Sequence, residues 1–154
     1  MFKPKFYIYN NSIYKMVFSE DLKFGQIYEE KYQKRMIECF GKLVEKAPNK
    51  IFKDYDYIFE NGSVEVKADR MVEKTGNFFV EFECNKRSSG ISATKATHYL
   101  LINSSKEDDA YLVETKTLLT LATETNCKVV YGGDGNRSKG YLVEKYKLKR
   151  FKII

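Results

Sequence analysis

The sequence predicts an α/β fold in which a mixed central sheet is flanked by helices. Residues 63–70 and 77–84 alternate apolar and polar side chains, which is the periodicity of a strand with one buried face. Residues 22–45 instead place apolar side chains at helical spacing. An apolar run at 98–103 indicates a further, buried strand, and residues 117–125 indicate a second helix.

Length and composition favour one domain that covers residues 1–154. Inside it we expect an N-terminal hairpin extension at 1–20, a core at 21–131, and a loop with a basic C-terminal strand at 132–154. Hydrophobic residues make up 43% of the chain, with twelve Tyr and eleven Phe, so the chain can bury a substantial core.

The first element is a hairpin predicted at residues 5–18, where two aromatic-rich runs flank an Asn-Asn-Ser turn. Such a hairpin either covers a sheet edge or forms a homodimer contact, and both alternatives stay open. The helix predicted at 22–45 follows it. The apolar stripe of this helix is made of Tyr32, Met36, Cys39, Phe40 and Leu43.

Glu29 lies inside this apolar stripe, whereas several neighbouring charged residues of the helix fall outside it. A carboxylate on a buried face needs a hydrogen-bond partner or a metal ion, because its burial without either is costly. The alternative is that Glu29 lies at the edge of the stripe and extends to water.

Strands are also predicted at 55–59, 109–114 and 128–131, and Asn61-Gly62 indicates a type I′ turn before the strand at 63–70. The glycine-rich GGDG run at 132–135 has no helix start after it, so we interpret it as a turn rather than a phosphate-binding loop.

Three carboxylates occur on the two alternating strands, and they can converge if these strands are neighbours. Asp69 lies near the end of 63–70, while Glu81 and Glu83 share one face of 77–84. Carboxylates that close repel one another unless ion pairs or a cation offset their charge. Hard divalent ions such as Mg²⁺ take oxygen ligands of this kind. The alternative is an exposed, charged sheet face, which the neighbouring phenylalanines disfavour.

These acidic residues resemble the PD-(D/E)XK nuclease superfamily, in particular its phage-type or junction-resolvase-like members. The family pattern is an acid at the end of one strand, followed by a second strand that carries acid-x-lysine. Asp69 and Glu81 match the two acids, and the segment that ends at Glu29 resembles the first helix of the nuclease core. The resemblance covers about residues 20–131 and implies a restriction-endonuclease-like core with an added N-terminal hairpin.

The chain departs from the family pattern at the third position, where Glu83 stands in place of lysine. Some family members carry the lysine on the following helix, so the resemblance implies that Lys95, in the segment SGISATK, supplies the catalytic charge. Lys67 is the second choice, because it shares a strand face with Asp69. Glu83 would then be an auxiliary ligand or would orient the attacking water.

The resemblance implies a metal-dependent endonuclease that hydrolyses DNA phosphodiester bonds, with a junction-resolving or structure-selective role among the options. Glu29, Asp69 and Glu81 would hold Mg²⁺ or Mn²⁺, which would activate water and offset charge on the phosphate. Restriction-type, repair and RNA-processing roles stay open. A non-catalytic nucleic-acid-binding module on a nuclease-like scaffold is the alternative from another functional class.

Basic residues that would contact nucleic acid occur beside the acids and near the C-terminus. Lys86 and Arg87 lie in a basic loop predicted at 85–90, just past the acidic strand. The remaining candidates are Lys67, on the first acidic strand, and Lys145, Lys147 and Lys149, on one face of the predicted C-terminal strand. The net charge of +6 and the pI of about 9.0 suit a polyanionic partner.

Cysteine usage and hydropathy predict a cytoplasmic protein. The three cysteines lack CxxC spacing, which argues against a disulfide framework or a zinc site and favours a reducing compartment. The N-terminal residues have no apolar signal sequence, and no apolar run approaches the length of a membrane span. We therefore expect no membrane association.

Overall fold

A computed structural model describes residues 6–9, 12–15, 30–49, 52–106 and 108–153. The chain divides into two compact units, Met1–Gly41 and Lys42–Ile154. Glu29, the expected metal ligand on the first helix, lies outside the described residues.

The first unit contains a hairpin and a helix. Strands β1 (Phe6–Tyr9) and β2 (Ser12–Lys15) pair antiparallel, which confirms the predicted hairpin. Helix α1 covers residues 30–40 of the described chain.

Helix α1 ends at residue 40 rather than at 45, where the sequence predicted its end. Gly41 has a φ of 83°, and its N–H donates a hydrogen bond of 2.9 Å to the Ile37 carbonyl. A left-handed glycine at this position is a common way to end a helix. Of the predicted apolar stripe, Tyr32, Met36 and Phe40 are buried, whereas Cys39 is exposed and Leu43 lies beyond the end of the helix.

The second unit contains two sheets and two short α-helices. Its strands are β3 (Leu43–Lys46), β4 (Tyr57–Phe59), β5 (Gly62–Asp69), β6 (Asn77–Cys84), β7 (Arg87–Ser88), β8 (His98–Asn103), β9 (Ala110–Glu114), β10 (Val129–Gly132) and β11 (Ser138–Glu144). Its α-helices are α2 (Val72–Thr75) and α3 (Thr115–Glu124). Its 3₁₀ helices are Gly90–Ser92, Asp134–Asn136 and Lys145–Phe151.

The larger sheet is mixed and has the strand order β3-β4-β5-β8-β9. Strands β5 and β8 run parallel, whereas the other neighbours in this sheet run antiparallel. The smaller sheet is antiparallel and has the order β10-β11-β6-β7. The α/β class and the mixed sheet are therefore confirmed.

One apolar core joins the two sheets and helix α3. Phe78 and Val80 of β6 belong to the same buried cluster as Tyr99 and Leu101 of β8 and Leu118 of α3. Burial of such side chains stabilises the fold by about 1.5–3 kcal/mol each relative to full exposure. The two sheets consequently fix each other's position within this unit.

The acidic strands differ from the prediction in one respect, because β5 and β6 belong to different sheets. The sequence predicted a single central sheet containing both. The short helix α2 redirects the chain between them, and Gly76 ends it with a φ of 73°.

The prediction for the C-terminal segment is also corrected. Strand β11 ends at Glu144, and Lys145–Phe151 form a 3₁₀ helix rather than the predicted basic strand. Lys145, Lys147 and Lys149 therefore do not alternate along one strand face. The segment instead packs Leu148 into the core, and Lys145 forms an ion pair of 3.0 Å with the buried Asp109.

No helix within the described ranges is long and apolar enough to cross a membrane.

Candidate functional site

A cavity of about 520 Å³ lies between the two sheets of the second unit. The larger sheet and the turn after β5 contribute polar and apolar walls: Lys67, Ala68, Asp69, Arg70, Met71, Tyr99 and Leu101. Strand β6 contributes Phe79, Val80 and Glu81, and β10 and β11 contribute Gly132 and Leu142. Two of the predicted acids, Asp69 and Glu81, thus share one cavity although their strands belong to different sheets.

Asp69 holds the turn between β5 and β6. Its Oδ1 accepts a hydrogen bond from the Met71 N–H at 2.7 Å, and its Oδ2 accepts one from the Phe79 N–H at 3.1 Å. A carboxylate that accepts two backbone N–H groups fixes both segments relative to each other. The structure therefore gives Asp69 a clear positioning role at the cavity edge.

Glu81 lies on β6 and is held from the following loop. Its Oε1 accepts a hydrogen bond of 2.5 Å from the Ser89 hydroxyl. The next residue, Gly90, has a φ of 51°, and a Cβ there would lie 2.2 Å from the Glu81 carbonyl oxygen. Only glycine fits so close to β6 with this backbone conformation, and this packing keeps Ser89 within reach of Glu81.

Glu83 is separated from Glu81 by an irregularity in the strand. Lys139 pairs with Glu83 and Gly140 pairs with Glu81, so the register shifts and Phe82 has no partner in β11. A bulge of this kind interrupts the alternation of side chains. The Glu83 carboxylate forms an ion pair of 3.0 Å with Lys139 Nζ and is not part of the cavity wall. Its hydrogen bond and negative charge raise the pKa of Lys139.

Lys95 lies outside the cavity wall and pairs with another carboxylate. Its Nζ is 2.8 Å from Asp54 Oδ2, and its side chain is 75% exposed. Its backbone N–H donates to the Asp54 carbonyl at 2.8 Å, so the backbone holds this segment as well. In place of the helix that the resemblance implied for this segment, the chain forms the 3₁₀ turn Gly90–Ser92 before Lys95. The structure thus brings Asp69 and Glu81 to one cavity without Lys95.

Lys67 lines the cavity and pairs with a carboxylate that the sequence analysis did not select. Its Nζ lies 2.7 Å from Glu65 Oε1, and the Glu65 side chain is only 11% exposed. Burial raises the pKa of Glu65, while the charge and hydrogen bond of Lys67 oppose this increase. A buried carboxylate beside a lysine at a cavity is a candidate functional group.

The sequence contained a signal for this pair. Glu65-Val66-Lys67 is itself an acid-x-lysine triplet, and Asp56 precedes it at the start of the neighbouring strand β4. The Asp56 Oδ2 accepts a hydrogen bond of 2.6 Å from the Val66 N–H, in the middle of the triplet. The prediction selected Asp69 and Glu81 instead, because it required the alternating strands to be neighbours.

Tyr99 is a buried residue of the cavity wall, and several acidic residues affect its pKa. Its side chain is 1% exposed, and within the described part of the chain its hydroxyl has no hydrogen-bond partner. Burial raises the pKa of Tyr99, and the negative charges of Glu65, Asp56 and Glu81 raise it further. An unsatisfied buried hydroxyl costs about 1–3 kcal/mol, so this group stands out as a candidate ligand contact.

The predicted nucleic-acid contacts fall into different environments. Lys86 and Arg87 are exposed at the tip of the β6–β7 hairpin, where positive φ angles at Asn85 and Lys86 form a tight turn rather than a flexible loop. Lys147 pairs with Glu144 at 2.9 Å. Of these residues, Lys86, Arg87 and Lys149 are exposed.

The acidic residues fit a metal ion only in part. Among the residues that the structure describes, no group of three or more His, Cys, Asp or Glu side chains could hold a metal ion. Mg²⁺ is, however, usually bound by one or two carboxylates, with water and substrate phosphates completing its shell. Carboxylate oxygens are the donors found here, so the donor chemistry fits a hard divalent ion that binds together with substrate.

Comparison with known proteins found no matching family model, curated protein or solved structure.

Proposed function

We propose that this protein is a metal-dependent endonuclease that hydrolyses phosphodiester bonds in DNA, with RNA as the other possible polymer. The Glu65–Lys67 pair carries the proposal, because its lysine lines a cavity whose wall also contains Glu81. Asp56, immediately before the adjacent strand β4, would serve as the first acid, although the family pattern places that acid at the end of a strand. We interpret the arrangement as a restriction-endonuclease-like core in which β4 and β5 carry the motif.

The carboxylates would bind the cofactor, and Lys67 would act on the substrate. Glu65 and Glu81 would hold Mg²⁺ or Mn²⁺ together with water and phosphate oxygens of the substrate. When bound, such an ion lowers the pKa of a coordinated water and offsets negative charge on the phosphate. The Lys67 ammonium has three N–H donors and uses one toward Glu65, so it can also donate to a phosphate oxygen as negative charge develops there.

Asp69 has a different role in this proposal from the one expected. Because both of its oxygens accept backbone N–H groups, it positions β6 and thereby Glu81. The family resemblance instead assigned Asp69 to the metal.

The decisive experiment is single-turnover cleavage of linear, nicked and four-way-junction DNA with Mg²⁺, Mn²⁺ or EDTA. We expect metal-dependent cleavage that Lys67→Ala slows by at least about a hundredfold, the effect typical of a positioned charge or proton-transfer group. Lys95→Ala is the matched control and should cleave near the wild-type rate, since its side chain is exposed and pairs with Asp54. A larger effect of Lys95→Ala would return the catalytic role to that residue.

A second candidate function is a non-catalytic nucleic-acid-binding module. The lack of a three-residue metal cluster among the described residues favours it. The same experiment separates the two functions: binding to DNA without cleavage under any metal condition supports the module and rejects the endonuclease.

A further inference from the structure

The cavity between the two sheets has features that a phosphodiester group alone does not require. Its walls include Phe79, Leu101 and Leu142 beside the charged Lys67 and Arg70. We propose that the cavity receives one unpaired nucleotide of the substrate, with its base against the Phe79 ring. The inference rests on the proposed nucleic-acid substrate and narrows it to DNA or RNA with a locally unpaired nucleotide.

The size and lining of the cavity support this ligand. A volume of about 520 Å³ lies within the usual range for small-molecule sites and suits a single nucleotide rather than a duplex. Apolar side chains provide no favourable contact for a phosphate, but they are suited to the flat face of a base. Lys67 and Arg70 provide the positive charge for the attached phosphate.

The Phe79 ring is held in place before any ligand arrives. A Cβ on Gly140 would lie 2.6 Å from the ring, and a Cβ on Gly132 would lie 3.1 Å from it. The absence of side chains at these two positions lets the ring pack directly against β10 and β11. Asp69 fixes the backbone of Phe79 through the 3.1 Å hydrogen bond to its N–H. Stacking on a ring ordered in advance loses little conformational entropy.

Tyr99 provides an independent indication of a polar ligand. It lines the cavity, its side chain is 1% exposed, and its hydroxyl has no partner among the described residues. A phenol can both donate and accept a hydrogen bond, and the edge of every base offers suitable atoms. We therefore assign the Tyr99 hydroxyl to the edge of the bound base.

The test uses duplexes with a single 2-aminopurine, either paired or unpaired, in EDTA so that no cleavage occurs. We expect tighter binding of the unpaired duplex and an increase in its fluorescence, because the base leaves its stack on the neighbouring bases. Phe79→Leu should weaken this binding by about fivefold or more and reduce the fluorescence change. Tyr99→Phe, which removes one oxygen atom, should weaken binding of the unpaired duplex and leave that of the paired duplex unchanged. The control Tyr131→Leu removes an exposed aromatic ring on β10 outside the cavity wall and should change neither signal.

The results separate this inference from the proposed hydrolysis. Equal affinity for paired and unpaired duplexes, or unchanged fluorescence with the wild-type protein, would overturn the inference. Preference for the unpaired duplex without any cleavage in Mg²⁺ would support the nucleotide site and reject the endonuclease. Because the wild-type measurements need no variant, a Phe79→Leu protein that does not fold still leaves the inference tested.

Discussion

At the scale of single residues, Tyr99 shows how a group can be unfavourable for folding and useful for binding. Its buried hydroxyl has no partner among the described residues. We predict that Tyr99→Phe leaves stability unchanged or raises it by about 1 kcal/mol, because it removes an unsatisfied polar group and keeps the ring. Urea unfolding followed by circular dichroism measures this. A loss of stability would show that the hydroxyl is satisfied in the folded protein.

Asp69 differs from Tyr99. It was predicted as a metal ligand, but in the structure both of its carboxylate oxygens accept backbone N–H groups. We predict that Asp69→Ala destabilises the fold by about 2–3 kcal/mol, because it leaves the N–H groups of Met71 and Phe79 without their acceptor. Asp69→Asn keeps one carbonyl acceptor and should lose about half as much. Equilibrium unfolding of both variants gives the comparison. Equal and small effects of the two substitutions would show that these two hydrogen bonds do not hold the turn between β5 and β6.

At the scale of elements, the loop after β6 depends on one glycine. Gly90 has a φ of 51°, and a Cβ there would lie 2.2 Å from the Glu81 carbonyl oxygen. We predict that Gly90→Ala destabilises the protein by more than about 2 kcal/mol, since backbone strain adds to a contact that side-chain rotation does not relieve. It should also slow cleavage by displacing Ser89 from Glu81.

Gly76 provides the matched control for this substitution. It has a φ of 73° but no atom within 4 Å of the position of a Cβ. Gly76→Ala should therefore cost only the strain of a left-handed alanine, about 1 kcal/mol. Thermal unfolding of the two variants separates strain from steric overlap. Equal losses would mean that the loop moves away from β6 to accept a side chain at position 90.

Local periodicity predicted the strands and helices better than it predicted which strands pair with one another. The strands at 77–84 and 98–103 match their predicted ranges because alternation and apolar runs are local properties of the sequence. The distribution of β5 and β6 between two sheets depends on long-range packing that no local pattern contains. The C-terminal 3₁₀ helix was predicted as a strand because lysines at every second position follow the period of a strand.

The same limit explains what could be predicted of the candidate site. The shared location of Asp69 and Glu81 followed from strand facing, even though their strands are not paired. Glu83 was grouped with them because the register shift that separates it from Glu81 occurs opposite Lys139 and Gly140 of β11, which the alternation of residues 77–84 does not contain. Glu65 and Lys67 were visible as a triplet, but the burial of Glu65 and its pairing with Lys67 appear only in the folded chain.

At the scale of the whole molecule, Asp109 joins the larger sheet to the C-terminal segment. Its side chain is 1% exposed and accepts hydrogen bonds from Asn103 at 2.9 Å, Tyr111 at 2.7 Å and Lys145 at 3.0 Å. The Lys152 Nζ lies 3.6 Å from Asp109 Oδ1, the oxygen that also accepts the hydrogen bond from Tyr111. No periodic pattern in the sequence predicts this network, because its members come from three separate segments: the end of β8, the start of β9 and the C-terminal segment. It anchors the residues that follow β11.

The network should make the stability of the protein depend on acid pH. Burial alone would raise the pKa of Asp109, but hydrogen bonds from Tyr111, Asn103 and Lys145 outweigh it and hold the pKa at about 2. Because this pKa is below the value of 3.8 in an unperturbed side chain, the folded state binds its proton less tightly than the unfolded state. The contribution of ionised Asp109 to the free energy of unfolding is therefore present above about pH 4 and amounts to about 2 kcal/mol. It is lost as the pH falls toward 2.

We predict that Asp109→Asn destabilises the protein at pH 7 by at least this amount, because it also leaves Lys145 with a reduced set of acceptors. The variant should have a flatter dependence of unfolding free energy on pH between about 2 and 4 than the wild-type protein. Urea unfolding at a series of pH values measures both effects, with Glu124→Gln at an exposed position of α3 as the control. Parallel pH curves for wild type and Asp109→Asn would show that the hydrogen bonds at Asp109 do not favour its charged form, and that acid unfolding starts at other carboxylates.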